Sequence, residues 1–356
     1  MHDYHAAGGV STVRLPHGSM PEREPLENPH NATALVTGAN GFVGCHLCSH
    51  LLETGYRVRA MVRTTSDLGA IEDLDLDYVH ADVTAPDSLP AALDDVDVVF
   101  HVAGLTKSRD PGAYFRVNSD GSRALAEACA EAGSVRRFVY ISSQAAAGPS
   151  WKGRARTEED PPAPVGPYGE SKLAGEIACR EAIGNRVEYV VVRPSIVYGP
   201  WERDMLQLFR MGKRRVALRV LGDTSVSLIY SADLADLIER AGRIDRAAGQ
   251  LFAAADPQPY WMREIIGLIA QVLDRRVVQV PIPPAILWPV ALMNEQLLKA
   301  GKGIEMMTRT RLKEMQVRYW AIDPARARTE LGWEPGRTLP EGIAETGAWY
   351  RAKGWL

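Results

Sequence analysis

Three glycines stand between a short run of apolar and β-branched residues and a helical stretch. The segment ALVTGANGFVGCHLCSHLL, residues 34–52, places them at Gly38, Gly41 and Gly44. A strand, a glycine-rich turn and a helix N-terminus together form an anion site, because missing side chains let the backbone approach a pyrophosphate and the helix dipole favours its charge. We expect Gly38 to form the tight turn, Gly41 to let the backbone approach the pyrophosphate closely, and Gly44 to let the helix pack closely against the strand.

Apolar runs and helical stretches alternate from residue 33 to Pro194. The runs TALVTG, RVRAMV, YVHADV, DVVFHVAG, RFVYISS and VEYVVVRP predict strands, and the stretches 42–54, 86–94, 117–132 and 168–183 predict helices. Continuous apolar strands separated by helices are typical of a parallel sheet that is covered on both faces. The sequence therefore predicts an α/β chain with a doubly wound parallel Rossmann sheet.

The alternation weakens after Pro194, where Pro, Trp and Arg become denser. We expect a smaller C-terminal substrate lobe there, interleaved in sequence with the sheet domain because residues 226–241 return to the sheet. The predicted divisions are a flexible N-terminal extension (1–31), an NAD(P)-binding Rossmann domain (32–194 and 226–255) and a substrate-binding lobe (195–225 and 256–356).

Composition and charge argue against several kinds of partner. The formal net charge is −3, and the basic run GKRR at 212–215 is too short to follow a nucleic-acid backbone. The longest apolar stretch, residues 281–293, is shorter than a bilayer span and contains prolines. No apolar secretory signal is recognised at the N-terminus. We therefore expect a cytoplasmic protein with a small-molecule substrate, no nucleic-acid partner and no transmembrane segment.

The four cysteines include the pair Cys45 and Cys48, close to His46 and His50. A metal or redox site would suit a C-x-x-C pair, but no second such pair follows, and both cysteines fall inside the predicted first helix. Small apolar thiols pack well on a buried helix face. We expect packing and no metal site.

The end of the second predicted strand reads RAMVRTTSD. Arg63 stands where an acidic residue would accept hydrogen bonds from both hydroxyls of an NAD ribose. A guanidinium followed by Thr64, Thr65 and Ser66 suits a 2′-phosphate instead. The sequence therefore favours NADP(H) as the cofactor, with NAD(H) as the alternative.

Among twelve tyrosines, only Tyr168 is followed four residues later by a lysine, Lys172, in YGESK. This spacing sets both side chains on one face of a helix. A carbonyl that receives a hydride needs a proton donor, and a phenol beside an ammonium can supply one. Ser143, or alternatively Ser142, ends the preceding strand and could donate a hydrogen bond to the developing alkoxide.

Taken together, these motifs resemble the extended short-chain dehydrogenase/reductase family, in its epimerase/dehydratase branch. The matching pieces are TGANGFVG, ADV (81–83), HVAG (101–104), RVN (116–118), ISS, YGESK and RPSIVYGP, in this order over residues 34–200, and the tail that begins YWAIDPARARTELGW also resembles the end of this family. The resemblance implies a homodimer, a supporting role for Asn118, and a dinucleotide held by Gly38, Asn40, Gly41, Phe42, Val43, Gly44, Arg63, Asp82, Val83, Ala103, Gly104, Lys172, Pro194 and Ser195. In this reading Asp82 and Val83 flank the adenine, while Pro194 and Ser195 face the nicotinamide.

Three departures from the family pattern bear on the substrate. Gln144-Ala145 stands in place of the Asp-Glu pair of sugar-nucleotide dehydratases. Val226-Ser227 stands in place of the Arg-Asp pair that helps to hold a nucleotide diphosphate, and Ala147 replaces a frequent tyrosine. With the apolar PYWM and PPAILWPVALM, the chain is most similar in character to dihydroflavonol-reductase and 3β-hydroxysteroid-dehydrogenase-like members.

This similarity implies an NADP(H)-dependent reductase or dehydrogenase of a fairly apolar ketone or secondary alcohol. The expected substrate contacts are Ser143, Gln144, Tyr168, Tyr198 and Trp201. An NAD-dependent nucleotide-sugar epimerase is the alternative enzyme, and a dinucleotide-sensing regulatory protein is the alternative outside catalysis.

Overall fold

The computed structural model describes residues 32–220, 223–282, 284–299 and 317–356. The predicted N-terminal extension, residues 1–31, lies outside the described residues. The strands are β1 (Thr33–Thr37), β2 (Arg57–Val62), β3 (Asp77–His80), β4 (Val98–His101), β5 (Arg137–Ile141), β6 (Glu188–Pro194), β7 (Ile196–Tyr198), β8 (Val216–Val220), β9 (Ser225–Val226), β10 (Leu228–Tyr230), β11 (Leu251–Ala254), β12 (Tyr260–Trp261), β13 (Val278–Ile282) and β14 (Tyr319–Trp320).

The helices lie between these strands and after the last of them. They are α1 (Phe42–Glu53), α2 (Pro111–Phe115), α3 (Ser122–Ala132), α4 (Gln144–Ala147), α5 (Pro167–Ile183), α6 (Asp204–Lys213), α7 (Ser231–Arg243), α8 (Met262–Val272), α9 (Pro284–Lys299) and two C-terminal helices, Ala325–Leu331 and Leu339–Ala352. None of the described helices combines the length and apolar character needed to cross a membrane.

A seven-stranded parallel sheet forms the larger lobe, in the order β11-β6-β5-β4-β1-β2-β3. All five residues of β1 are buried, and alternate residues enter different cores: Ala34 and Val36 face the side of α1 and α7, while Leu35 faces the side of α3 and α5. Helices on both faces explain why the strands read as continuous apolar runs. The predicted α/β fold with a doubly wound parallel Rossmann sheet is confirmed.

The strand order reverses between β1 and β4. In doubly wound sheets, ligands bind outside the carboxyl ends of the strands at such a switch point. The glycine turn after β1 and the HVAG segment at the end of β4 both lie there, so the topology brings the two motifs together.

Two predicted elements differ from the structure. The helix expected over 86–94 is a pair of short 3₁₀ turns, Pro86–Ser88 and Pro90–Leu93, each with a proline at its start. The segment 226–241 was expected to return to the sheet, and its helix α7 does pack on β5 and β6 as well as on α1. Its strand β10 pairs with β7, however, and β11 is the strand that joins the sheet. Because β11 is only four residues long, its run LFAA carries a weak strand signal.

The smaller lobe has its own core, built from α6, α8 and the helix Leu339–Ala352 around Phe209, Ile265, Ile343 and Tyr350. The strands β12, β9 and β14 form a small sheet beside it, and β8 pairs in parallel with β13. The C-terminal segment touches both lobes, because Trp333 is fully buried in the core between the sheet and α1. The predicted lobe boundaries remain a prediction.

Cys45 and Cys48 are free cysteines on the buried face of α1. Burial raises the pKa of the Cys45 thiol to about 11, which disfavours the thiolate that a metal or redox site needs. The predicted packing role of the pair is confirmed.

Candidate active site

The glycine turn packs tightly around the carbonyl oxygen of Gly38. Gly38 has a φ of +66°, and a Cβ on it would lie 2.8 Å from the Ala103 Cα. The Gly41 N–H donates to the Gly38 carbonyl over 2.9 Å, and a Cβ on Gly44 would lie 2.1 Å from that same oxygen. The backbone therefore requires glycine at both outer positions, and α1 begins immediately after Gly41 with no acidic residue in its first turn.

The neighbouring residues of the turn connect it to the second strand and to the core. Asn40 Nδ2 donates to the Asp67 carbonyl over 3.1 Å, which holds the turn against the loop that follows β2. Val43 packs against the core, and the Phe42 ring lies edge-on to His46 at 5.6 Å. Arg63 opens this loop and is exposed, while its backbone N–H donates to Ser66 Oγ over 3.1 Å.

Asp82 and Val83 follow β3 on the same edge of the sheet. The Asp82 carboxylate accepts hydrogen bonds from the N–H and the hydroxyl of Thr84, each over 2.8 Å. Val83 is buried against Gly121, on which a Cβ would lie 2.8 Å from Val83 Cγ2. Both residues therefore shape the edge of the sheet beside the glycine turn.

A buried chain of hydrogen bonds supports the end of β4. The Ala103 N–H donates to Thr37 Oγ1 over 3.1 Å, Thr37 Oγ1 lies 2.7 Å from His101 Nδ1, and His101 Nε2 lies 2.8 Å from Ser122 Oγ. Burial, together with the charge of Lys172, lowers the pKa of His101 to about 3. The imidazole is therefore neutral and joins β1, β4 and α3 beneath Ala103.

Asn118 holds the segment after Gly104. Its side chain accepts from the Leu105 N–H over 2.7 Å and donates to the Leu105 carbonyl over 2.9 Å and to Ser171 Oγ over 3.0 Å. Asn118 is fully buried in a π-helical turn, Arg116–Gly121. This supporting position agrees with the role that the family resemblance implies.

Tyr168 and Lys172 lie on the first two turns of α5. Tyr168 is half-buried, with its ring 6.1 Å from that of Tyr114. Lys172 is 3 % exposed and places Nζ 4.4 Å from the centre of the Tyr140 ring. Burial lowers the pKa of Lys172 to about 8. A Cβ on Gly104 would lie 3.5 Å from Nζ, so the ammonium faces the HVAG segment.

The structure distinguishes the two candidate serines. Ser142 Oγ donates a short hydrogen bond to Glu176, whose carboxylate also receives two hydrogen bonds, over 2.8 and 2.6 Å, from Arg193. Ser143 Oγ accepts from the Ala145 N–H over 3.1 Å, which leaves the Ser143 hydroxyl proton available. A Cβ on Gly169 would lie 2.4 Å from the Ala145 carbonyl oxygen, so α5 presses the turn after Tyr168 against the segment that carries Ser143.

Gln144 Nε2 and Ser195 Oγ are buried polar atoms at this edge that have no hydrogen-bond partner among the described residues. Gln144 follows β5 directly and Ser195 follows β6, next to the buried Pro194. Unpaired buried polar atoms are rare in folded proteins, and they fit a bound polar group at the carboxyl ends of these strands.

Tyr198 and Trp201 make packing contacts within the protein. Tyr198 is fully buried, with its ring 5.5 Å from Tyr230, and a Cβ on Gly342 would lie 2.5 Å from its hydroxyl. The centre of the Trp201 ring lies 5.0 Å from that of Trp349 and 6.0 Å from that of Trp355. Their predicted contact with substrate stays a prediction.

Sequence reasoning missed His101, Ser122, Glu176 and Arg193 as supports of this site. His101 was visible inside HVAG as a polar residue at the end of an apolar run. The other three gave no local signal, because their partners are distant in sequence.

A parallel sheet with a glycine turn at its switch point, and a Tyr-Lys pair on the helix beside it, define an α/β dinucleotide-dependent enzyme. The chain belongs to the NAD dependent epimerase/dehydratase family, whose model matches residues 34–251. The resemblance to extended short-chain dehydrogenases/reductases is thereby confirmed.

Individual relatives include both reductases and epimerases. The chain is 32 % identical to a ceramide reductase of Caulobacter vibrioides, over 90 % of this chain and 95 % of that protein. It is 30 % identical to a UDP-glucose 4-epimerase of Vibrio cholerae, over 88 % of this chain and 93 % of that protein. The crystal structure of gox2253 superimposes with a TM-score of 0.78 and 28 % identity, over 92 % of this chain and all of that one.

Proposed function

We propose that this chain is an NADP(H)-dependent reductase or dehydrogenase that interconverts an apolar ketone and its secondary alcohol, with Tyr168 as the proton donor. The observation that carries the proposal is the placement of Tyr168 and buried Lys172 on α5, against the segment that carries Ser143 and facing the HVAG segment. An oxidoreductase of the family needs these three groups in one place.

The cofactor would lie across the switch point of the sheet. The glycine turn and the N-terminus of α1 receive the pyrophosphate, Arg63 binds the 2′-phosphate, and Asp82 and Val83 border the adenine. Ala103 and Gly104 line the path to the nicotinamide end, where Lys172, Pro194 and Ser195 lie. When bound, the reduced dinucleotide supplies the hydride.

Each of the three catalytic residues has a distinct task. The Tyr168 hydroxyl gives its proton to the carbonyl oxygen as the carbonyl carbon is reduced, and Lys172 stabilises the phenolate that remains. Ser143 donates a hydrogen bond to the same oxygen while negative charge develops on it. In the direction of oxidation, the tyrosine accepts the proton of the alcohol.

The positions that would bind a nucleotide diphosphate favour the reductase over the epimerase. Val226 is buried in the core of the smaller lobe. Ser227 is fully buried, and its Oγ accepts from the Ile322 N–H over 3.1 Å. Neither offers a charge or an exposed donor for a diphosphate.

The relatives support both candidate enzymes to different degrees. Similarity to a ceramide reductase favours a long-chain apolar substrate, whereas similarity to a UDP-glucose 4-epimerase keeps the epimerase as the second candidate. The homodimer and the cytoplasmic location stay predictions of the sequence.

The proposal is tested by titrating the purified protein with NADPH and NADH, after any copurified dinucleotide is released and identified. A panel of long-chain ketones, with UDP-glucose and UDP-galactose beside it, is then assayed for NADPH consumption and for epimerisation. We expect NADPH binding to an empty protein and reduction of at least one apolar ketone. Copurified NAD with epimerisation and no ketone reduction would contradict the proposal, and dinucleotide binding with no turnover at all would favour the regulatory protein.

The variant that lacks the proposed proton donor, Tyr168→Phe, gives the most direct test of the mechanism. Tyr168→Phe should lower the rate of ketone reduction by about 10²–10⁴-fold, the usual contribution of a positioned acid, while the NADPH dissociation constant changes little. Tyr114→Phe removes a hydroxyl from the neighbouring ring and is the matched control, because that hydroxyl accepts a hydrogen bond from the Ser108 N–H over 2.9 Å and has no proposed part in the proton transfer. Equal losses in the two variants would remove Tyr168 from the mechanism.

A further inference from the structure

The smaller lobe exposes an apolar stripe along α9. Its members are Ile286, Val290, Met293 and Leu297, which are 61, 36, 62 and 45 % exposed. Spacings of four, three and four residues place them on one side of the helix. The adjoining side packs on the protein through Leu287 and Ala291, which contact Ile282. The helix is thus apolar on a side that the described protein does not cover.

The strand pair beside α9 adds three exposed valines. Val216 of β8 and Val278 of β13 are register partners in a parallel ladder, and they are 43 and 62 % exposed. Val280 is 40 % exposed and lies two residues further along β13, on the same face as Val278. Because β13 leads directly into α9, the valines and the helical stripe belong to the same part of the lobe.

Basic side chains cluster where these two strands begin. Lys213, Arg214 and Arg215 precede β8, and Arg275 and Arg276 precede β13; all five are exposed. The Val278 N–H donates to the Arg215 carbonyl over 2.9 Å, which holds the two turns side by side. Among the described residues none of the five forms a salt bridge. The segment 213–215 contains no acidic residue, and in the segment 274–276 the one acidic residue is Asp274, directly before Arg275.

We propose that this region, the α9 surface (the α9 stripe, the three valines and the five basic residues), docks on an anionic phospholipid membrane. An apolar helix side buries its side chains at the boundary of headgroups and acyl chains. Each nearby Lys or Arg adds attraction to anionic headgroups. Both halves of the surface then find a partner, which a bilayer alone offers in one plane.

Charge argues against the two other occupants. Pairing the same surface of two copies would bring two sets of five cations towards each other, which disfavours a symmetric contact. A nucleic acid would satisfy the cations but leave the exposed valines and the helical stripe in water. The proposal does not depend on which reaction the active site performs.

Vesicle flotation of the full chain tests the proposal, with vesicles of phosphatidylcholine alone and with about a third phosphatidylglycerol. We expect the protein to bind the anionic vesicles about tenfold or more tightly, and salt to weaken that binding. Ile286→Asp with Met293→Asp removes the apolar contact, and Arg214→Glu with Arg276→Glu reverses two charges. Each double variant should weaken binding about tenfold or more.

Matched controls lie on the other lobe. Ile177→Asp changes a side chain that is 51 % exposed on α5, and Lys152→Glu with Arg246→Glu makes the same charge change at exposed sites. Controls should float like the wild type, and an unchanged melting temperature and NADPH affinity would show that the α9 variants are folded.

Three results would overturn the proposal. They are wild-type protein that ignores anionic vesicles, equal binding to both vesicle types, and surface variants that bind as the wild type does. A wild-type dimer that Ile286→Asp with Met293→Asp turns into monomers, with no vesicle binding, would instead identify the surface as an interface between copies.

Discussion

At the scale of single residues, the site depends on buried polar groups whose hydrogen bonds join its segments. His101 bridges Thr37 and Ser122 as a neutral imidazole, and Ser142 donates to Glu176, whose carboxylate also accepts from Arg193. The sequence left Ser142 and Ser143 both open, because the group that engages Ser142 lies 34 residues further along the chain. The sequence could predict Tyr168 and Lys172 as a pair because the two lie four residues apart on one helix.

His101 should make the protein sensitive to acid. Its pKa falls from 6.5 in the unfolded chain to about 3 in the folded one, so the unfolded chain binds more protons between these values and stability drops as the pH falls through them. At pH 4.5, two units below 6.5, the free energy of unfolding is lowered by about 3 kcal/mol. His101→Gln keeps a neutral donor and acceptor without titrating.

The contribution of His101 to the pH dependence of stability is measured by urea unfolding of the wild type and of His101→Gln at pH 7.5 and at pH 4.5. The free energy of unfolding of the variant should rise by about 3 kcal/mol relative to that of the wild type on going to the lower pH. If the difference in the free energy of unfolding between the two proteins does not change with pH, His101 is not the titrating group.

Arg63 should determine the choice between dinucleotides. A charge-assisted hydrogen bond to a phosphate contributes about 1.5–3 kcal/mol, so Arg63→Ala should raise the NADPH dissociation constant about tenfold or more. NADH lacks the 2′-phosphate and is the internal control, since its affinity should stay within about twofold. Equal weakening of the two dinucleotides would point to a lost loop structure rather than a lost phosphate contact.

At the scale of elements, close backbone approaches align the proposed catalytic groups. α5 meets the segment Gln144–Ala147 at Gly169, where a Cβ would lie 2.4 Å from the Ala145 carbonyl oxygen. The strands were predictable because burial on both faces makes every position apolar. The form of the segment 86–94 and the pairing of β10 were not predictable. The first is broken by prolines, and the second depends on which strand the three-residue β10 finds as a partner.

Gly169→Ala should therefore damage catalysis more than cofactor binding. The new methyl group must push α5 away from α4, which moves Tyr168 relative to Ser143, and displacements of about 1 Å can cost 10²-fold in rate. Gly267→Ala in α8 is the control, because nothing lies within 4 Å of its Cβ position. Measured kcat should fall for the first variant alone, while the control should be neutral or slightly more stable.

At the scale of the whole molecule, the C-terminal segment ties the lobes together. Trp333 is fully buried in the core beside the sheet and donates from Nε1 to the Asp233 carbonyl over 3.0 Å. The helix Leu339–Ala352, a few residues further on, packs in the core of the smaller lobe. The sequence predicted two interleaved lobes but did not show which tail residues return to the sheet, because a single tryptophan carries no periodic pattern.

Trp333→Ala should lower the free energy of unfolding by about 3–5 kcal/mol, the usual cost of removing a buried aromatic ring. Trp333→Phe, which keeps most of the ring volume and loses the N–H donor, should cost less than half of that. Urea unfolding followed by far-ultraviolet circular dichroism measures both changes. If the alanine variant is as stable as the wild type, Trp333 does not hold the C-terminal segment against the sheet.

The position of β11 has a consequence for how the chain is made. Strands β1 to β6 are complete once residue 194 has left the ribosome, but the outer edge of β6 is paired only by Leu251–Ala254. Until then an apolar strand presents bare amide and carbonyl groups, which is a template for association with other chains. The nascent protein is therefore most vulnerable to aggregation in the interval when strands β1 to β6 are already assembled, and a chaperone that shields this one edge would protect it.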